Sequence, residues 1–133
     1  MKDEILFIDD EECIRQIAAR ILEKDDFHVT TLDSGEGAVD AVSKKRPVMV
    51  FLDIKMPGKN GLEVLKDLKA ADPNLPVIMM SGYMNSRYAV EASKAGANDY
   101  ILKPVDWSYM RNIAHLYAML TKDAPAPEPV SRS

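Results

Sequence analysis

Residues 47–61 read Pro-Val-Met-Val-Phe-Leu-Asp-Ile-Lys-Met-Pro-Gly-Lys-Asn-Gly, and this stretch decides the fold. Val48 to Leu52 is an apolar run with no alternation, opened by Pro47 and stopped by Asp53. A strand wet on one face alternates apolar and polar side chains, whereas an unbroken run is covered on both faces. Pro57-Gly58-Lys59-Asn60-Gly61 is turn chemistry that cannot sit inside an element. The chain therefore leaves a buried strand at Asp53, turns, and enters a helix on Leu62, Val64, Leu65 and Leu68, which Asp72-Pro73 ends.

The same unit recurs on either side. Residues 5–8 are Ile-Leu-Phe-Ile, followed by a helical stripe of Ile14, Ile17, Ala18, Ile21 and Leu22 within residues 11–24. Residues 27–32 carry the β-branched Val29, Thr30 and Thr31, and Ser34-Gly35 is expected to open a helix through Lys45. Residues 77–80 form a fourth strand, residues 86–95 a helix ended by Gly96, residues 100–102 a fifth strand, and residues 106–121 a last helix. Five strand–helix units with strands buried on both faces imply an α/β, doubly wound parallel sheet with helices on each side.

The chain has 133 residues, which fits one domain over residues 1–121 and a short tail over 122–133. The tail alternates proline with small and polar residues, as expected of an extended, Pro-rich linker or disordered end, with a further domain beyond it or a cut there. A net charge of −4 argues against direct nucleic-acid or membrane-surface binding. The single Cys13 can form no internal disulfide, and the acidic start suits no signal peptide, so a cytoplasmic location is expected. Cys13 is expected to be a small thiol packed on its helix. His28 and His115 are expected at the surface, the methionines in the core, and Asp25-Asp26 as solvated element ends.

The polar residues collect where the strands stop. Asp9 and Asp10 end the first strand, Asp53 the third, Ser81 the fourth and Lys103 the fifth, while the second strand, expected at an edge, contributes none. Open α/β sheets bind ligands outside these carboxyl ends, where the winding direction reverses. Clustered carboxylates repel and raise one another's pKa, which a divalent cation relieves. An all-oxygen set without His or Cys favours a hard ion, magnesium foremost; calcium is open, though no twelve-residue calcium loop is present. A cation with Lys103 suits a phosphoryl group in transfer, Ser81 can donate to one of its oxygens, and Asp53 is the natural nucleophile.

Asp9-Asp10, Asp53-Ile-Lys-Met-Pro-Gly-Lys-Asn-Gly61, Ser81-Gly82 and Lys103-Pro104 together resemble the receiver domain of two-component response regulators, over residues 4 to about 121. The resemblance implies a flavodoxin-like (βα)5 fold with strand order 2-1-3-4-5. It implies Asp53 as phosphoacceptor, with a sensor histidine kinase, a phosphotransfer protein or a small phosphodonor upstream. Asp10 and Asp53 would hold Mg2+ directly, Asp9 partly through water, and the backbone carbonyl of Lys55 would complete the protein ligands. Lys103 and Ser81 would contact the phosphoryl group, and Tyr100 would swing inward as Ser81 moves. Lys55 and Tyr83 match positions that tune phosphate lifetime, and Trp107 stands one place later than the usual apolar residue after Lys-Pro. The implied output is a changed surface on helix 4, strand 5 and helix 5, read by an output domain or protein, with a homodimer on phosphorylation left open. Within it, Arg87, Lys94, Tyr100 and Arg111 of residues 84–112 are the expected partner contacts.

Two other functions start from the same residues. A phosphohydrolase of the haloacid dehalogenase type also uses an aspartate nucleophile, but needs a second acid where this chain has Lys55. A receiver-like module that takes no phosphate sits poorly with the intact set Asp9, Asp10, Asp53, Ser81 and Lys103. The chain is thus read as a regulatory phosphoacceptor whose own chemistry is limited to itself, not as an enzyme acting on other substrates.

Overall fold

The computed structural model describes residues 2–55, 60–82 and 86–123. Five parallel strands form one sheet in the order β2-β1-β3-β4-β5. The elements run β1 (Asp3–Ile8), α1 (Glu12–Lys24), β2 (Phe27–Leu32), α2 (Ala38–Lys45), β3 (Met49–Asp53), α3 (Gly61–Ala71), β4 (Val77–Ser81), α4 (Ser86–Lys94), β5 (Asp99–Leu102) and α5 (Trp107–Asp123). Among the described residues, no helix is long and apolar enough to cross a membrane. The tail from residue 124 and the turn residues Pro57, Gly58 and Lys59 lie outside the described residues, as do Tyr83 and Met84.

Strand alternation splits the core in two. Leu6, Ile8, Val50, Leu52, Val77 and Met79 face α2, α3 and α4, meeting Val42, Val64, Leu65, Leu68 and Ala92. Ile5, Phe7, Met49, Phe51, Ile78, Met80 and Ile101 face α1 and α5, meeting Ala18, Leu22, Met110, Ile113 and Ala114. Both sets are apolar because both sheet faces are covered, which is why β3 and β4 have no polar interior position. Met49, Met79, Met80 and Met110 are buried, as expected of core filler, whereas Met119 is exposed.

Several local expectations are corrected. α2 starts at Ala38 rather than at Ser34-Gly35, because Gly37 sits in the left-handed region at φ 78° and breaks helical continuity before it. β1 begins two residues early, since the Glu4 carboxylate is bonded by His28 and Thr30 of β2 and holds that end in register. Cys13 is exposed rather than packed. The Asp25 side chain is largely covered rather than solvated, because Arg111 (2.8 Å) and His115 (2.9 Å) of α5 both bind it. Both histidines are exposed, as expected, each against a carboxylate.

Two devices fix the ends of the sheet. At the carboxyl end, Asn60 and Glu63 form a reciprocal capping box that starts α3. Gly61 then lies against the strand it follows: its N–H donates to the Ile54 carbonyl at 2.8 Å, and a Cβ there would fall 2.4 Å from the Asp53 carbonyl oxygen. At the opposite end, α4 closes on Gly96 (φ 102°), with Gly96 N–H donating to Ser93 and Ala97 N–H to Ala92, a Schellman ending. Asn98 next to it gathers four bonds. Its Oδ1 accepts from Lys69 Nζ (2.9 Å) and Val77 N–H (3.0 Å), its N–H donates to the Val77 carbonyl (2.8 Å), and its carbonyl accepts from Tyr117 Oη (3.1 Å).

Because the atoms facing Gly61 are backbone, a methyl group cannot be absorbed by a rotamer change. Gly61→Ala is expected to lower stability by about 1–3 kcal/mol, measured by urea denaturation; an unchanged midpoint would show that α3 is free to move off β3.

Candidate functional site

The site forms where β1 and β3, neighbours in the sheet, both stop. Asp9 follows β1 directly and Asp53 is the last residue of β3, and their rows are in register from Ile5–Met49 to Ile8–Leu52. Helices start just beyond, so the strand ends open onto a pocket lined by Asp10, Glu11, Asp53, Lys55, Gly82 and Lys103. One oxygen from each of Asp9, Asp10 and Asp53 can lie within 4.8 Å of the others. Asp9 is fully buried and Asp53 is 3% exposed, while Asp10 is open to solvent. The sequence expectation that these three acids converge is met.

Lys103 enters from the loop after β5. Its Nζ lies 2.7 Å from Asp9 Oδ2, 3.4 Å from Glu11 Oε1 and 3.5 Å from Asp53 Oδ2. Asp9 is held from its other side as well: its Oδ1 accepts the Glu11 N–H at 2.9 Å, and its carbonyl accepts from Arg15 Nη1 at 2.7 Å. Asp53 Oδ1 accepts the Lys55 N–H at 3.3 Å. Ser81 is buried at the end of β4, its carbonyl accepting the Lys103 N–H at 2.8 Å, so β4 sets the height at which Lys103 leaves the sheet. Tyr100 is half-buried in β5 and packs against the α2–α4 side of the core.

The electrostatics follow from burial. Loss of water and the neighbouring Asp9 charge push the Asp53 carboxyl from 3.8 up to about 6, with Lys103 and the Lys55 N–H opposing. Burial works against the Lys103 charge, yet its bond to Asp9 and the Asp53 and Glu11 charges prevail and hold its pKa above the ordinary lysine value. Two buried carboxylates with an exposed third at the mouth form an excess of hard oxygen donors. With no His or Cys among them, they fit a small divalent cation.

Sequence reading missed Glu11 and Arg15. Glu11 immediately follows the acid pair and sits at the N-cap of α1, where its side chain makes no capping bond. A glutamate at a position that favours Ser, Thr, Asp or Asn was the available signal. Arg111, one of the expected partner contacts, is paired with Asp25 in the turn between α1 and β2 and stays half exposed.

The response regulator receiver domain model matches residues 5–115. Sporulation initiation phosphotransferase F of Bacillus subtilis is 34% identical over 120 residues, covering 90% of this chain and 97% of that protein. Nitrogen assimilation regulatory protein NtrX of Azorhizobium caulinodans is 41% identical over 106 residues, covering 78% of this chain and 23% of that protein. The crystal structure of NtrX from Brucella abortus superposes with a TM-score of 0.83 at 35% identity, covering 92% of this chain and 28% of that one. The chain thus spans nearly the whole of one relative and about a quarter of the other two.

A carboxyl whose pKa is raised on folding binds its proton more tightly in the folded chain, so metal-free stability falls as pH rises between about 4 and 6. The parent chain is expected to be less stable than Asp53→Asn at pH 7.5, by on the order of 2–3 kcal/mol at most, with the gap closing toward pH 4. Magnesium should narrow the gap at pH 7.5 and lose that effect as pH falls through 6. Thermal melts of both chains with and without magnesium chloride measure this; a pH-independent gap would rule it out.

Proposed function

The chain belongs to the response regulator receiver domain family, and from that premise we propose that Asp53 is its phosphoacceptor, served by Lys103, Ser81 and a magnesium ion. The supporting observation is the carboxylate cluster at the ends of β1 and β3, with Lys103 inserted between its two buried members. Both Asp9 oxygens are already engaged, one by Lys103 and one by the Glu11 N–H. By the resemblance to the receiver family, Asp10 and Asp53 would hold the metal directly, with Asp9 contributing through water and the Lys55 carbonyl as a further ligand. When bound, magnesium supplies positive charge to the phosphoryl oxygens and to the crowded acids.

In the reaction, an Asp53 carboxylate oxygen forms a bond to phosphorus while phosphorus separates from the donor's nitrogen or oxygen. The leaving group departs with the bonding electron pair. Lys103 stands beside Asp53 and can pair with a phosphoryl oxygen without leaving the pocket. Ser81, at the end of the adjoining strand, can donate its hydroxyl proton to another. Burial keeps Asp53 poorly hydrated, which favours its attack over that of the exposed Asp10.

The receiver domain is a regulatory module, and the consequence of phosphorylation is a change of shape. The added group brings about −1.5 to −2 charges and three acceptor oxygens. Drawing Ser81 and Lys103 toward it pulls on β4 and β5, and Tyr100 moves with them, altering the surface of α4, β5 and α5. That surface would be read by an output domain or protein, or by a second copy, and a sensor histidine kinase or phosphotransfer protein would supply the phosphoryl group. The contacts proposed on that surface are Arg87 and Lys94 on α4, Tyr100 on β5 and Arg111 on α5.

Incubation with acetyl phosphate and magnesium is expected to add one phosphoryl mass to the intact chain. Asp53→Asn should abolish the adduct, and Lys103→Ala should slow its formation by roughly tenfold or more. A parent chain that takes no phosphoryl group from either a small donor or a histidine kinase would favour a receiver-like binding module instead.

A further inference from the structure

Glu11 is unexplained by the phosphoacceptor chemistry and by the fold. As the N-cap of α1 it has the extended backbone such a position requires (φ −89°, ψ 117°), but its side chain caps nothing. Its backbone already serves the local structure, donating to Asp9 and accepting from Arg15. The carboxylate is turned instead to the mouth of the pocket, where it lies 3.4 Å from Lys103 Nζ and remains 61% exposed. Glu11 and Asp53 share that nitrogen, so Glu11 Oε1 stands within about 7 Å of Asp53 Oδ2, close enough for two unit charges to interact appreciably.

We propose that Glu11 is a specificity-determining residue that discriminates among phosphodonors by their charge, an inference that rests on Asp53 being the phosphoacceptor. Its carboxylate does two things to an approaching donor. It places a negative charge on the rim the donor must pass, and it occupies part of the Lys103 ammonium that would otherwise attract phosphoryl oxygens. Both effects grow with donor charge. A donor carrying two negative charges is penalised more than one carrying a single charge. A donor whose phosphoryl group is delivered by protein–protein docking escapes most of the penalty, because its binding energy comes from contacts outside the pocket. Glu11 thereby slows the loading of the site by small, highly charged phosphate esters and anhydrides.

The test compares acetyl phosphate, a dianion at neutral pH, with phosphoramidate, largely a monoanion there, on the parent chain, Glu11→Gln and Glu11→Asp. Adduct formation is followed by intact mass at pH 7 and saturating magnesium. Both donors use the same metal site, so the ratio of their rates cancels any change in metal affinity. Glu11→Gln should speed acetyl phosphate by roughly three- to tenfold and phosphoramidate by a distinctly smaller factor. Glu11→Asp should keep the parent's ratio, and added salt should shrink the Gln effect. Equal factors for both donors, or an unchanged ratio, would overturn the inference while leaving Asp53 as phosphoacceptor. If neither of these donors nor a phosphorylated histidine kinase modifies the parent chain, the phosphoacceptor reading and this inference fall together.

Discussion

The ammonium group of Lys103, wedged 2.7 Å from Asp9 and 3.5 Å from Asp53, is the contact around which the acid end of the molecule is organised. Burying two carboxylates side by side is costly unless something compensates the charge. Lys103 supplies that compensation in part, and the proposed magnesium ion would supply the remainder. A fully neutralised cluster would leave no demand for a metal, and an uncompensated one would push the strand ends apart. Partial neutralisation produces a pocket that is stable enough to fold and still under-supplied with positive charge, the condition under which a phosphoryl group and its metal are welcome.

The rest of the architecture maintains that imbalance. β1 and β3 have to be neighbours for Asp9 and Asp53 to meet, and the order β2-β1-β3-β4-β5 makes them so. Gly61 lets α3 press onto the backbone of Asp53 and Ile54, so the strand end that carries Asp53 cannot drift toward solvent. Asp9 is fastened by three groups from three directions, namely Lys103, the Glu11 N–H and Arg15 through its carbonyl. Rigid placement of the acids costs no rearrangement when the reacting group arrives.

Sequence made the sheet and the acid cluster legible for a common reason. An apolar run that halts at a polar residue marks both a buried strand and the point where it reaches the surface, as at Leu52-Asp53 and Met80-Ser81. Periodicity carries no such signal where the backbone departs from a regular form. Ser34 and Gly35 looked like a helix start, but Gly37 in the left-handed region set the boundary three residues later. Contacts between distant surface charges were equally hidden. Asp25 and Arg111 are 86 positions apart and each resembles an ordinary solvated residue. Glu11 was overlooked because a charge beside two others reads as more of the same until its direction is known.

Asn98 gives the molecule a fulcrum. Its bonds join α3 through Lys69, β4 through Val77 and α5 through Tyr117, all at the end of the sheet away from the acids. The shift proposed for Ser81 on phosphorylation would therefore be greatest beside the pocket and die out toward the pivot, about 13 Å away along a helix of nine residues. Like a hand on a lever, a partner gripping the pocket end of α4 would feel the full stroke of that shift, and one seated near Gly96 almost none.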